Sequence, residues 1–249
     1  MPPGQPYPHA AGQPYPYQPG PVGPGAVFVS PRGLATALTV LLTVCAGLYL
    51  LVAAAASRMR TTVSDIQDGN LPTLQEAQDV DDFYNGAIAL QALGLLATGI
   101  VFIIWFHRIR VNAEVFDPAG QRMGRGWAIG AWFVPVVNFW FPKKIANDAW
   151  RASTPWGVDP ARGVVNAWWV LWLLLTLADF SAQVQDLGGE GLGNAEDLDA
   201  LGNQASILTL SGVLGVAAAV LAILFVRRLS QRQQTKFDQG PIPPLTPAT

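Results

Sequence analysis

Charge and cysteine are both scarce in this sequence, and each shortage excludes a class of protein. Charged residues make up 13% of the 249 residues, against about 25% in ordinary soluble domains. One cysteine, Cys45, cannot form an internal disulfide, and with only two histidines the chain lacks a Cys/His metal cluster. The net charge of -2 gives no basic surface for nucleic acid. We therefore expect no metal, no cofactor and no nucleic-acid partner.

Long apolar runs occupy much of the chain instead. Four of them approach or reach the length of about 20 apolar residues that a membrane helix requires. A backbone in hydrocarbon must satisfy its own hydrogen bonds, which predicts that these runs are helices. The predicted crossings are residues 34–56, 87–106, 164–181 and 205–226, within a membrane domain of residues 32–230.

The basic residues are distributed unevenly between the two sides of this predicted topology. With an internal N-terminus and four crossings, only Arg58 and Arg60 of the 15 basic residues fall outside, which leaves 13 inside. Cytoplasmic loops are enriched in Lys and Arg. The pattern predicts a multi-pass protein of the cell membrane with both termini in the cytoplasm.

Two terminal segments differ from this domain in composition. Residues 1–31 carry no charge, are rich in Pro, Gly and Tyr, and repeat Gly-Gln-Pro-Tyr-Pro at 4–8 and 12–16. Proline disfavours helix and sheet, so we expect a disordered tail there, and another at 231–249. The first tail is either a solubilising spacer or a docking segment for a protein that recognises proline.

The apolar stretch between the second and third crossings is ambiguous. As a helix, residues 127–141 would span about 22 Å, against a hydrocarbon core of about 30 Å. The stretch contains Pro135 and Asn138, and a crossing here would move most basic residues outside. Trp127, Trp132 and Trp140 suit a membrane interface. We therefore predict a re-entrant or interfacial segment over about 127–152.

A short amphipathic helix is predicted to complete this segment. Pro142 is suited to the first turn of a helix. Ile145, Ala149 and Trp150 then share one face, opposite the polar side chains, which predicts a helix lying on an anionic membrane surface. The predicted polar face consists of Lys143, Lys144, Asn147, Asp148 and Arg151.

The stretch from Trp105 to Arg151 carries an ordered set of Trp, Pro and Asn residues. The set begins with Trp105, Phe106, Arg108 and Asn112, continues with Gly126, Trp127, Trp132, Phe133, Pro135, Val136, Val137, Asn138, Trp140 and Pro142, and closes with Trp150, Arg151, Ala152 and Ser153. This pattern resembles a family of actinobacterial membrane proteins catalogued as domain of unknown function 4328, and the resemblance extends less specifically over residues 85–230. It implies a multi-pass membrane protein and no particular activity.

Polar side chains near the membrane are the other candidate sites. Gln91, Asn166 and Asp179 lie in or beside crossings, where they either bond to neighbouring helices and water or contribute to an ion path. Arg108, Arg110, Lys143 and Lys144 either orient the chain or contact anionic lipid headgroups.

The prediction is an all-α protein, a four-helix transmembrane bundle with a re-entrant or interfacial segment between the second and third crossings. No nucleophile–base pair is visible, so an intramembrane enzyme is the weakest hypothesis. We expect a non-enzymatic membrane scaffold or interaction module; the alternative is a small transporter or channel using Pro135–Asn138. Small residues four apart, as at Ser211 and Gly215, predict close helix packing within one chain or in a homo-oligomer.

Overall fold

Every regular element in the described part of the chain is helical. The computed structural model describes residues 26–188 and 195–240, without the side chains of 179, 181–188, 195–201 and 203. A short 3-10 helix, Val137–Phe139, lies between the third and fourth α-helices. The α-helices are α1 (Arg32–Gln67), α2 (Leu74–Phe116), α3 (Trp127–Gly130), α4 (Phe141–Ala152), α5 (Gly163–Gly188) and α6 (Ala195–Gln239).

Three of these helices are long and apolar enough to cross a membrane: α1, α2 and, over Gln204–Gln239, α6. The apolar part of α5, Gly163–Ala178, is shorter within the described residues. At 1.5 Å per residue, each of the three exceeds the roughly 30 Å of hydrocarbon. The long helices therefore project beyond any bilayer that they cross.

Helix α1 packs between α2 and α6, and small residues bring the three backbones together. A Cβ added at Gly94 of α2 would lie 2.7 Å from Leu48 of α1, and one at Gly212 of α6 would lie 2.6 Å from Ala53 of α1. One at Gly215 would overlap the ring of Tyr49. The predicted close packing at small residues is therefore confirmed within one chain.

Both ends of the described chain meet at the same end of the bundle. There, the segment before α1 contacts the last turns of α2 and α6, and α4 packs against α2. We call this region the basic end and define it as residues 26–31, 107–126, 141–162 and 227–240. The helical hairpin turn at residues 68–73 lies at the opposite end of α1 and α2.

The predicted disordered tails need correction where they join the helices. Phe28 stacks on Phe237 with ring centroids 4.2 Å apart, and the Ser30 hydroxyl donates to Gln234 at 3.0 Å. Helix α6 continues to Gln239, so residues 231–239 are helical rather than disordered. In both segments, contacts with the helix ends stabilise an ordered structure where composition predicted disorder. The remaining parts, residues 1–25 and 241–249, lie outside the described residues.

The stretch over residues 127–140 is not a crossing helix. It consists of the four-residue α3, turns and the 3-10 helix. Val136 adopts φ 67°, in the left-handed region that branched residues rarely occupy. Trp132 nevertheless packs inward, whereas Phe133 is 70% exposed. The broken chain fits the expectation of an irregular segment, without fixing its place relative to a bilayer.

Candidate functional site

A buried amide network joins three elements of the basic end. Asn112 of α2 and Gln233 of α6 are fully buried, and the Asn112 amide donates to the Gln233 carbonyl oxygen at 2.9 Å. The Gln233 amide donates to the Ile109 carbonyl at 2.9 Å and to the Ser153 hydroxyl at 3.1 Å. Buried amides without partners are unfavourable, so this complementary set fixes the register of α2 against α6.

Asn112 also holds the segment that precedes α1. Its amide donates to the Val29 carbonyl at 2.8 Å, while its carbonyl accepts the Val29 backbone N–H at 3.1 Å. This pair of bonds mimics the pairing of a β-strand with a neighbour. The N-terminal segment is thereby attached to the basic end before helix α1 begins.

Two cations of α6 lie on aromatic rings at the same end. The Arg232 guanidinium is 4.3 Å from the centre of the Trp150 ring, and its Nη1 donates to the Thr154 hydroxyl at 3.1 Å. Lys236 lies 4.2 Å from the Trp156 ring and donates to the Ala152 carbonyl at 2.8 Å. These cation–π contacts and hydrogen bonds fasten the residues after α4 onto α6.

The prediction of a solvated polar face on α4 is wrong for Asp148. That side chain is buried and pairs with Arg122 at 2.9 Å, and Arg151 lies 3.8 Å away. Its hydrogen bonds raise the pKa of Arg122. The position of the Asp148 side chain is decided by Arg122 on the loop before α3, not by Lys144 one turn earlier on α4. Arg151 also donates to the Gly120 carbonyl at 2.9 Å.

The four predicted lipid-contact residues do not form one surface. Arg110 is buried, pairs with Glu114 at 2.8 Å and donates to the Met123 carbonyl. Arg108 is half-buried and Lys144 is exposed. Arg110 therefore connects α2 to the loop before α3 inside the protein. Lipid contact by Arg108, Lys143 and Lys144 stays a prediction.

Lys143 and Asn166 come together, although the sequence placed them in separate groups. Lys143 Nζ donates to the Asn166 carbonyl oxygen at 2.7 Å and so joins α4 to the start of α5. Burial, with a smaller contribution from Arg162, lowers the pKa of Lys143 to about 8. Gln91 is half-buried and makes no hydrogen bond to a described residue; the Asp179 side chain lies outside the described set.

A cavity of about 280 Å³ lies among α1, α2, α5 and α6. Trp132 contributes to its wall and packs edge-on against Phe102 and Trp172, with ring centroids 5.4 and 5.7 Å away. The Trp132 indole nitrogen is buried and has no partner among the described residues. Cys45 and Thr98 also line the cavity and are hydrogen-bonded to each other at 3.1 Å through Sγ and Oγ1. The cavity is therefore mainly apolar.

The remaining motif residues form a different surface. Trp127, Pro135 and Trp140 are exposed, and Trp127 packs edge-on against Phe141. Asn138 is half-buried, and its carbonyl oxygen has no partner among the described residues. Pro142 and Trp150 are instead buried in the basic end. We call residues 127–140 the aromatic loop. Of its motif tryptophans, Trp127 and Trp140 are exposed, whereas Trp132 packs inward.

Residues 68–231 match the family described as Domain of unknown function (DUF4328). This chain belongs to that family. The match includes α2, the aromatic loop, α4, α5 and most of α6. Asn112 and Ser153 of the network lie inside the matched residues, whereas Val29 and Gln233 lie outside them. No curated protein and no solved structure matches the chain. Within the described ranges, no group of three His, Cys, Asp or Glu side chains is placed to hold a metal ion.

The sequence reasoning missed the network of Asn112 and Gln233. A signal was present on α6, where Ser230, Gln233 and Lys236 recur every third residue beyond the apolar run. Side chains at this spacing share one face of a helix. A polar stripe at that point is compatible with a buried hydrogen-bond network or with a solvated helix face. The partner residue on α2 decides between these two environments.

Proposed function

We propose that the protein is a non-enzymatic membrane module that presents its proline-rich N-terminal segment beside the basic end. In this proposal α1, α2, α5 and α6 each cross the bilayer, and the basic end faces the cytoplasm. The excess of Lys and Arg at that end supports the orientation. The aromatic loop then lies at the level of the lipid headgroups, where Trp is enriched.

The attachment of Val29 carries the proposal. A simple spacer needs no fixed position, yet the chain between the tail and α1 is bonded through both backbone groups of Val29 to Asn112. Phe28 adds a stacked contact with Phe237 on α6. The described chain therefore begins at a fixed point next to the exposed cations of the basic end, which suits a composite surface for a partner of the tail.

A matched pair of truncations tests this function. Deleting residues 1–25 leaves the Val29 contacts intact, and deleting 241–249 is the control at the other end of the chain. Each version is purified from crosslinked cells, and the partners retained are identified by mass spectrometry. We expect deletion of 1–25 to lose specific partners that deletion of 241–249 keeps. The same partners in both preparations would contradict a role for the tail.

A small transporter or channel is the second candidate, and the cavity beside the aromatic loop favours it. Trp132, an inward-facing residue of the loop, lines that cavity, and its indole N–H has no partner among the described residues. Asn138 does not line the cavity, so Asn138→Ala and Trp132→Phe separate the two places where a path could run. Flux in proteoliposomes that falls in either variant would support transport. No flux across a panel of solutes and ions in the wild type would remove this candidate.

A further inference from the structure

A second pocket, of about 550 Å³, lies between the start of α1 and the later turns of α6. It belongs neither to the amide network nor to the central cavity. Arg32 and Arg227 enter it from the two helices, together with the side chains of Thr36, Thr39, Ser230 and Gln231. Two arginines, one from each helix, thus line a space that is also lined by residues with hydroxyl and amide groups.

Neither of these two arginines has a carboxylate partner among the described residues, unlike several arginines of the basic end. Arg110, Arg122 and Arg125 each pair with Glu114 or Asp148. Among the described residues, neither Arg32 nor Arg227 lies within ion-pair distance of an acidic group. Converging positive charges without a counter-ion in the protein are complementary to an anion from outside.

Ser230 supplies a donor at the base of the pocket. Its side chain is buried, and its oxygen accepts the Trp105 indole N–H at 3.0 Å. A hydroxyl can donate one hydrogen bond while it accepts another, and the Ser230 hydrogen has no acceptor among the described residues. The Thr36 and Thr39 hydroxyls instead donate to the carbonyls of Arg32 and Ala35. An incoming oxygen atom would give Ser230 its missing acceptor.

The position of the pocket, at one boundary of the apolar helices, favours a lipid over a soluble anion. Arg227 directly follows the last apolar run of α6, and Arg32 precedes that of α1, so both mark one boundary of the apolar helices. Val40, a wall residue, is 58% exposed, and Val44 one turn further is 51% exposed. The site therefore continues from two cations onto an apolar track along α1.

We propose that this pocket binds an anionic phospholipid, with the headgroup phosphate between Arg32 and Arg227 and an acyl chain along Val40 and Val44. Basic pockets between membrane helices at the cytoplasmic boundary recognise such headgroups. The arginines supply charge and paired N–H donors, and Ser230 supplies a hydroxyl donor. The site is independent of any partner of the N-terminal tail.

Arg32→Gln and Arg227→Gln are the test variants, and Arg228→Gln is the matched control. Arg228 is the exposed neighbour that does not line the pocket. Each protein in a neutral detergent is titrated with short-chain phosphatidylglycerol, phosphatidylcholine or inorganic phosphate, and bound lipid is counted by native mass spectrometry. A charge at the membrane surface contributes enough that each test variant should weaken phosphatidylglycerol binding roughly five-fold.

The expected result is saturable binding of one phosphatidylglycerol to wild type and Arg228→Gln, weaker binding to each test variant, and little to phosphatidylcholine. The double variant Arg32→Lys/Arg227→Lys should bind phosphatidylglycerol more weakly than wild type but still prefer it to phosphatidylcholine, because the charge remains while the paired N–H donors are lost. Equal binding in test and control variants would overturn the site. Inorganic phosphate displacing the lipid at equal concentration would overturn the apolar track and assign a soluble anion instead.

Discussion

The basic end and the apolar middle of this protein are held together by different interactions. At the basic end, buried amides, ion pairs and cation–π contacts connect α2, α4, α6 and the chain before α1. In the middle, the helices meet through glycine and alanine, and a cavity remains between them. At the basic end, pairs of complementary polar side chains determine how the elements pack. In the apolar middle, small residues that allow the helices to approach closely determine it.

This contrast follows from the solvent that each region faces. Between apolar helices in lipid, the hydrophobic effect gives little association, so close backbone approach and dispersion must supply it. In the proposed placement the basic end projects beyond the bilayer, where water makes the burial of Ile109, Ile145, Trp150 and Leu229 favourable. The basic end thus resembles a small soluble core mounted on membrane helices.

Among the polar side chains of the basic end, Asn112 should have the largest effect on stability when its amide is removed. Asn112→Ala leaves the Val29 backbone groups and the Gln233 oxygen without their partner, at a cost of about 3 kcal/mol. Chemical unfolding in detergent measures the change in the free energy of unfolding. Thr235→Ala, at an exposed position on α6, is the control and should change it by less than about 0.5 kcal/mol. Equal effects would contradict the role of the network.

Filling the α1–α6 contact should have the next largest effect. At Gly215 of α6 an added methyl group overlaps Tyr49, whereas at Gly47 of α1 nothing lies within 4 Å of it. Gly215→Ala should therefore destabilise the protein by about 1–3 kcal/mol. Gly47→Ala should be neutral or stabilising, since alanine favours helix by about 1 kcal/mol. Thermal unfolding of the two variants side by side measures the difference, and the opposite order would exclude the close contact.

The predictability of the two regions also differs. The apolar runs and the small residues within them predict the helices and their close contacts, because lipid allows only one solution for the backbone. The basic end follows from pairs distant in sequence, such as Asn112 with Gln233 and Arg122 with Asp148. Asn, Gln, Arg and Asp also suit a solvated surface. The local sequence pattern therefore placed Asp148 on a polar face and did not predict that Gln233 is buried.

The Lys143–Asn166 contact gives a smaller effect that depends on pH. The pKa of Lys143 falls from its usual 10.5 to about 8 in the folded protein. The unfolded chain thus binds more protons between these values, so stability should rise as pH increases from 8 to about 10. Lys143→Gln should remove that rise and should stabilise the protein at neutral pH. Unfolding midpoints at several pH values measure it, and parallel profiles for both proteins would contradict the lowered pKa.

The smallest effect is expected at Phe133, an exposed side chain of the aromatic loop. Phe133 is 70% exposed, so Phe133→Ala should change the unfolding free energy in detergent by less than about 0.5 kcal/mol. Its neighbour Trp132 is packed among four aromatic rings, so Trp132→Ala should be the more disruptive variant by several kcal/mol. Similar losses in the two unfolding curves would mean that the loop does not divide into inward and outward side chains.

The side of the membrane that each end occupies tests the account most directly. In a Cys45→Ala background, single cysteines at Asn70 and Thr235 occupy exposed positions at opposite ends of the bundle. A membrane-impermeant maleimide applied to intact cells should label Asn70→Cys alone, and Thr235→Cys and Ser30→Cys should react only after the membrane is opened. Labelling of Thr235→Cys but not Ser30→Cys in intact cells would contradict the shared location of the two termini and, with it, the even number of crossings.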